Sequence, residues 1–270
     1  MSASIIRTDD GPVRILTISN PAKRNAFSDD MAPALKKQFV EADQDPSVRC
    51  IIVTGGEDIF SSGHDLQEVL HNPETAGDPE ANAAFTIPTE LGTPVIAAVN
   101  GAAYAAGFIL ALNCDLRIAG RNAKFCAVGA RIGLVPVGGQ LSRLLDVVTY
   151  PVAFKMLATA SPVGAAEALE SGFVTEVCDP AETLNRALAL AHEIAEVSPA
   201  VVRAIKTGLR VTMHDGLGAG NALEPLLAAV VRALPDGDEG VQSFLEKRPP
   251  RYPNAPADLQ DMLDKAGATR

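Results

Sequence analysis

The chain has 270 residues, 47% of them hydrophobic and 21% charged, a globular balance that suits one large domain or a domain with an appendage. Its formal net charge of −10 argues against nucleic acid or an anionic membrane as the main partner, so an anionic ligand would need a local basic patch. Cys50, Cys114, Cys126 and Cys178 have no metal-ligand spacing and read as small core residues of a reduced protein. The opening MSASIIRTDD has no basic segment followed by an apolar core, so the expected location is cytoplasmic.

Residues 13–19, VRILTIS, alternate weakly and read as a strand, and NPAKRNAFSDD follows as a polar loop. Pro33 is tolerated only in a first helical turn, which puts the cap at Asp29 or Asp30 and gives Met31, Leu35 and Phe39 a common face. Asp45-Pro46 closes that helix. CIIVTG (50–55) is a continuous β-branched run, as in a strand covered on both faces, and strand–helix–strand in this order points to an α/β fold. In GGEDIFSSGHDLQEVL a short helix is expected from Asp65 to Leu70, so Ser62-Gly63-His64 places small-residue backbone just before a helix start. The polar, breaker-rich stretch 71–82 reads as a mobile surface loop near a pocket mouth, and 83–93 as helical.

Residues 95–119 organise the chain. An apolar run ends at Asn100-Gly101, an Ala/Gly loop reaches Gly107, and a buried helix then leads through Cys114-Asp115 into another strand. Residues 95–114 are uncharged over a length that could cross a bilayer, but two asparagines, an Ala-rich makeup and the lack of a second such segment make them a buried core element. Lys124–Ala127 is a short strand. GLVPVGGQLSRLLDVV turns through Pro136 and Gly138-Gly139 into a helix with Leu141, Leu144, Leu145 and Val148 inward. A short helix over 164–171 stops at Gly172, and 173–178 is a further strand. From Pro180 onward the pattern is helical. Its stripes are Leu184, Leu188, Ala191 and Ala195, then Val201, Ile205, Leu209 and Met213, then Leu223, Leu226, Leu227, Val230 and Leu234. A tail this apolar folds back on its own core or packs against neighbouring subunits.

No nucleotide-binding glycine motif, nucleophile elbow or H-E-x-x-H run is present. What remains is a pair of small-residue loops, each after a buried strand and just before a helix. The backbone N–H groups there lack intrahelical partners and sit at the positive end of the helix dipole, so two of them can hold one oxyanion. His64 reads as a backbone donor or surface side chain ahead of a catalytic imidazole. Tyr104 lines a pocket or packs, and Asp115 is a structural acceptor rather than a catalytic acid. Lys23-Arg24 and Lys247-Arg248 are ordinary solvated charges unless a polyanionic ligand is implied.

PAKRNAFS, IIVTGGEDIFSSGHDL, PVIAAVNGAAYAAGFILALNCDLRIA, AKF, VPVGGQLSR, SPVGAAEALESGFVTEV and the terminal EGVQSFLEKRPPRY, in that order from about residue 5 to 252, resemble the enoyl-CoA hydratase/isomerase (crotonase) superfamily. FSSGHDL, the AAG loop and the EG-x₃-FLEKR-x-P tail are most similar to its enoyl-CoA hydratase domain-containing protein 3 branch. The resemblance implies an α/β fold: a crotonase-like spiral of ββα units over 1–195, then a C-terminal helical trimerisation region over 196–270. It implies a homotrimer or hexamer that binds an acyl-CoA or enoyl-CoA thioester in fatty-acid metabolism, with coenzyme A as part of the substrate, no other cofactor, no metal and no membrane span.

By position, the resemblance puts the oxyanion-hole amides on His64 and Ala106. The adenine-side loop falls on Ser62, Gly63, His64, Asp65 and Leu66. Lys23, Arg24 and Ala26, with Phe244 and Lys247 from the tail of the same or a neighbouring subunit, fall in the CoA cradle. Tyr104, Ile109 and Gly129 are further expected substrate-binding positions. Two glutamates that carry protons in hydratases of this family are replaced by Ile109 and Gly129, which cannot transfer protons. The residues that could substitute are His64, Asp146, Glu68 or Glu90. Three functions follow: a family enzyme without the usual glutamates, a non-catalytic acyl-CoA-binding protein, or a CoA-thioester hydrolase or lyase.

Overall fold

The β-branched runs at 13–19 and 50–55 lie side by side as strands. The computed structural model of the chain describes residues 3–71 and 79–268. In it β1 (Ser4–Asp10) and β2 (Val13–Ser19) form an antiparallel hairpin turned at Gly11. After α1 (Met31–Gln44), β3 (Cys50–Thr54) returns parallel to β2, with Leu16 opposite Val53. Met31, Leu35 and Phe39 are buried on the inner face of α1, as their spacing requires.

Then come α2 (Leu66–His71), α3 (Pro79–Thr86), β4 (Val95–Val99), β5 (Ala102–Tyr104), α4 (Ala106–Asn113) and β6 (Leu116–Gly120). The polar loop expected over 71–82 falls largely outside the described residues, and its last part is already α3. The helix expected over 83–93 ends early, at Thr86, with a 3₁₀ turn at Ile87–Thr89. Pro88 has no N–H to give and would clash with the turn before it. The stretch 95–119 folds as strand, helix and strand, but the loop expected up to Gly107 contains β5 and the helix already starts at Ala106. All eight residues of α4 are buried, and β4 and β6 pair in parallel in the centre of the main sheet. No single helix among the described residues is long and apolar enough to cross a membrane.

The chain continues through β7 (Lys124–Cys126), α5 (Leu144–Val147), α6 (Tyr150–Thr159), β8 (Val163–Gly164), α7 (Ala165–Glu170), β9 (Glu176–Cys178) and α8 (Thr183–Glu196). The main sheet runs β1-β2-β3-β4-β6-β9, parallel except for β1, and a smaller sheet runs β5-β7-β8. The helix expected after Gly138-Gly139 shrinks to one turn. Leu144 and Val148 are buried, but Leu141 is 57% exposed and Leu145 47%. Both glycines have positive φ and the following bonds are mostly i→i+3 turns, so no continuous inward face forms. The strand expected from 173 starts only at 176, because the Phe173 carbonyl accepts from the Arg117 guanidinium and Val174 N donates to the Ala168 carbonyl.

The tail comprises α9 (Pro199–Asp215), α10 (Leu217–Arg232), α11 (Asp236–Leu245) and α12 (Leu259–Ala268). Here the long apolar stripe and the inward face are not the same. The inward face of α9 is Pro199, Ala200, Ala204 and Thr207, while Val201, Ile205, Leu209 and Met213 are exposed. In α8 the buried face is Thr183, Ala187, Ala191 and Ala195, with Leu184 outside. Small residues let the helices approach their neighbours closely and the long ones are left outward. Ala200, Ala204, Leu223, Leu227, Leu259 and Leu263 form the tail's own core. Asp115 anchors that tail: its carboxylate accepts from Val95 N at 2.7 Å and from Lys206 Nζ at 2.7 Å, as befits a structural acceptor. All four cysteines are free thiols, and burial pushes Cys50 and Cys114 up to about 12.

Candidate active site

The two small-residue loops meet. Ser61 N donates to the Ala102 carbonyl and Tyr104 N to the Ser61 carbonyl, both at 2.9 Å, so the loop before α2 is zipped to the strand before α4. On its other side Phe27 N donates to the Gly63 carbonyl at 2.8 Å and Asp65 N to the Phe27 carbonyl at 2.9 Å, which leaves the His64 N–H facing away from that pairing. Asn25, itself at φ 55°, ties the loop's root down through Nδ2 bonds to the carbonyls of Gly55 (2.7 Å) and Ile59 (2.9 Å). Ser61 Oγ donates to the Asn25 carbonyl at 2.7 Å and accepts from Gly63 N at 3.1 Å.

Glycine is required at 63. Its φ is +103°, and a Cβ there would stand 2.6 Å from Ala105 Cβ and 3.3 Å from Ala106 N. The backbone of Gly63-His64 therefore lies against the first turn of α4. Ala105 caps that helix at φ 49° with no side-chain bond to its first amides. Among the described residues neither His64 N nor Ala106 N donates a hydrogen bond. Two unengaged amides, one at a helix N-terminus, can accept a negative oxygen.

The other end of α4 is served differently. The buried Arg117 guanidinium donates to the carbonyls of Cys114 (2.8 Å), Ala111 (3.2 Å) and Phe173, and lies 5.2 Å over the Phe173 ring. Arg143 Nε donates to the Leu112 carbonyl at 3.3 Å. Burial pulls the Arg117 guanidinium down to about 10, still cationic at neutral pH.

A pocket of about 310 Å³ opens over the two amides, with Ile109, Val128, Leu134 and Pro136 as apolar walls and His64, Asn82, Arg131 and Gln140 as polar groups. Among the described residues no carboxylate lines it. Ile109 is 4% exposed and fills the space beside Gly138, whose Cβ would stand 2.6 Å from Ile109 Cγ2. A Cβ on Gly129 would stand 2.6 Å from the Leu134 carbonyl oxygen. The half-buried His64 ring packs edge-on to Phe85 at 5.2 Å, and its Nε2 is enclosed with no hydrogen-bond partner among the described residues. Burial lowers the imidazole below its ordinary 6.5, and the Asn82 side chain and the Asp29 charge act in the opposite direction.

Lys23 pairs with Asp65, and Ser62 donates from N to the Arg24 carbonyl (3.2 Å) and from Oγ to the Lys23 carbonyl (3.3 Å), so residues 23–26 and 61–65 form one strap. Ala26 is buried beneath it, and Leu66 opens α2. Arg24 and Tyr104 line a second, larger pocket of about 790 Å³ with Asn25, Lys124, Glu57 and Asp58, so Tyr104 faces this cleft and not the smaller one. Phe244 is 83% exposed at the end of α11 and Lys247 follows it. Neither lines either pocket within one chain. Asp146 and Glu90 are exposed, Glu68 accepts from Asp29 N at 2.6 Å, and none of the three lines the smaller pocket. Of the four candidate proton carriers only His64 is in place. Asn82, Arg131, Gln140 and Arg117 were not singled out by motif. Arg117 alone carried a signal, a charge inside the apolar run LRIA.

The enoyl-CoA hydratase/isomerase family model matches residues 9–255. The 2,3-dehydroadipyl-CoA hydratase of Escherichia coli (strain K12) is 34% identical over 241 residues, covering 89% of this chain and 94% of its own. Among solved structures, an enoyl-CoA hydratase from Mycobacterium tuberculosis H37Rv superposes with a TM-score of 0.88 at 29% identity, covering 94% of this chain and 100% of that one. Human enoyl coenzyme A hydratase domain-containing protein 3 superposes at 0.84 with 30% identity, covering 92% and 99%.

Proposed function

The chain belongs to the enoyl-CoA hydratase/isomerase family and is an enzyme of CoA thioesters, and from that premise we propose that it polarises an acyl-CoA or enoyl-CoA thioester of fatty-acid metabolism between His64 N and Ala106 N, without the paired-glutamate route to hydration. One observation carries this reading: two amides that donate to no described residue, held side by side under a pocket whose described lining has no carboxylate. Charge that develops on the thioester oxygen finds donors already in place, and such a donor is worth about 10²–10³ in rate. Ile109 and Gly129 occupy the positions of the family glutamates and offer the acyl chain an apolar wall.

The strap of Lys23, Arg24 and Ala26 against Ser62, Gly63, Asp65 and Leu66 receives the coenzyme. Phe244 and Lys247 reach a coenzyme held by a neighbouring subunit, which is why neither faces a pocket of its own chain. The exposed stripe Val201, Ile205, Leu209 and Met213 suits burial in a homotrimer or hexamer. Calorimetric titration with butyryl-CoA beside a crotonyl-CoA hydration assay tests the proposal. Binding with little hydration is expected. Rapid hydration would mean that another pair of proton carriers is at work, and failure to bind acyl-CoA would overturn the reading.

A further inference from the structure

The sequence runs Phe60-Ser61-Ser62-Gly63-His64, and its two serines part company in the fold. Ser62 bonds to the strap, whereas Ser61 is 0% exposed and is in the lining of neither pocket. Every polar atom of Ser61 is engaged. Its N–H donates to the Ala102 carbonyl and its carbonyl accepts from Tyr104 N, both at 2.9 Å. Its hydroxyl donates to the Asn25 carbonyl at 2.7 Å and accepts from Gly63 N at 3.1 Å. We propose that Ser61 is the positioning residue of the oxyanion pair, the one buried residue that aims both His64 N and Ala106 N at the same oxygen. This rests on the acyl-CoA reading above.

The backbone of Ser61 fixes one amide and its side chain the other. The two main-chain bonds pin it to β5, which runs into Ala105 and Ala106. Gly107 closes on it so tightly that a Cβ there would stand 2.7 Å from the Ser61 carbonyl oxygen and 2.9 Å from the Ser61 Cβ. The hydroxyl holds Gly63 N, the amide just before His64 N, and so sets the turn at Gly63. A hydroxyl has one proton and two lone pairs, and here it uses both roles at once, giving to a carbonyl and taking from an amide. Alanine at 61 would leave the Asn25 carbonyl and Gly63 N short of these bonds in a buried place, and a loop with an orphaned amide turns to find another acceptor. His64 N turns with it. The backbone bonds of residue 61 survive the substitution, so the fold and the coenzyme strap stay. What goes is the aim: hydrogen bonds weaken steeply below about 120°, so a thioester still seated in the pocket is no longer polarised by two donors.

The test is the carbon-13 NMR shift of hexanoyl-CoA labelled at the thioester carbonyl, read together with its affinity and with Tm. Two aimed donors draw charge to the oxygen, so the wild type should move that resonance downfield of the free thioester. Ser61→Ala should lose most of the displacement with affinity little changed. Ser61→Cys, whose thiol gives and takes weaker bonds, should fall between the two. Ser198→Ala is the control: that serine is also buried, and its hydroxyl accepts from Val201 N at 3.1 Å at the start of α9. It should lower Tm but keep the wild-type shift, which separates aim from general loosening. If Ser61→Ala binds hexanoyl-CoA with the full displacement, or if Ser198→Ala loses as much of it, the assignment of Ser61 falls while the acyl-CoA reading stands. Should Ser61→Ala fail to fold, Ser61→Cys decides, with an intermediate shift supporting the assignment and a full one overturning it. A wild type that binds with no displacement has no polarising pair to position, which sinks the assignment but not coenzyme binding. Failure of the wild type to bind hexanoyl-CoA would sink both.

Discussion

Replacing Gly63 by alanine tests the contact on which the site depends. The new Cβ would stand 2.6 Å from Ala105 Cβ, with the Tyr104 carbonyl at 3.1 Å and Ala106 N at 3.3 Å. Overpacking of this kind costs about 1–3 kcal/mol. An L side chain at φ +103° adds roughly 1–2 kcal/mol of backbone strain. The sum, roughly 2–5 kcal/mol, corresponds to a Tm drop of about 5–15 °C for a chain of this size. Gly11→Ala is the control: its φ is +57° but nothing lies within 4 Å of the added Cβ, so only the strain remains. Scanning calorimetry at a fixed protein concentration, since oligomers melt in a concentration-dependent way, should rank Gly63→Ala well below Gly11→Ala. The same variant forces the His64 and Ala106 amides apart, so acyl-CoA affinity should fall in Gly63→Ala and hold in Gly11→Ala. If the two variants melt alike and both bind acyl-CoA like the wild type, the loops do not meet as described.

Gly129→Glu should lower Tm by the equivalent of about 1–3 kcal/mol, because the obstructing atom is the Leu134 carbonyl oxygen and not a flexible side chain. The double variant Ile109→Glu/Gly129→Glu should therefore show no gain in crotonyl-CoA hydration, and a clear gain would show that the 129–134 turn relaxes. Arg117→Leu leaves the carbonyls of Ala111, Cys114 and Phe173 without donors in a dry core, at about 1–3 kcal/mol each, so unfolding in urea should shift by at least ~3 kcal/mol. A loss under about 1 kcal/mol would mean water takes over those bonds. The Arg248 guanidinium holds Glu239 down to about 2 from its ordinary 4.5, aided by Arg251 N. A depressed carboxylate stabilises the fold above its unfolded pKa, so this hold on the 239–251 segment is complete above pH 4.5 and lost as pH falls toward 2. Amide exchange in that segment should quicken over that window in the wild type and not in Glu239→Gln; equal pH dependence in both would refute the assignment.

Much of the geometry of the candidate site was legible because its signals are local. The strand–loop–helix–strand of 95–119 is written in one contiguous pattern, and the Gly63 and Ala105 loops each betray themselves by small residues before a helix. The family resemblance added which amide in each loop to name. What periodicity could not decide was which of two equally periodic faces turns inward. On α9 the stripe of Val201, Ile205, Leu209 and Met213 and the stripe of Ala200, Ala204 and Thr207 have the same repeat, and close helix contact selected the smaller one. Nor could spacing reveal pairings fixed only by the tertiary fold, such as Lys23 with Asp65 or Asn82 beside His64. The turn after Gly139 failed for another reason: its leucines repeat at helical intervals, but two successive positive-φ glycines set a path that helix spacing does not follow.

The asymmetry of α4 ties these observations to chemistry. A short helix buried along its whole length must satisfy orphan groups at both ends. At the C-terminal end the chain provides two guanidinium groups. At the N-terminal end it provides nothing: Ala105 has no capping side chain and Ala106 N donates to no described residue. An enclosed donor without a partner costs about 1–3 kcal/mol, and sequences that tolerate such a cost have usually left the position for a ligand. On the proposed reading, an oxygen that becomes more negative during reaction would complete the cap more fully than the ground-state carbonyl, and the stabilisation deferred in folding would be delivered there. On that reading, the N-terminal end of α4 is the part of the fold that would make charge on a thioester tolerable.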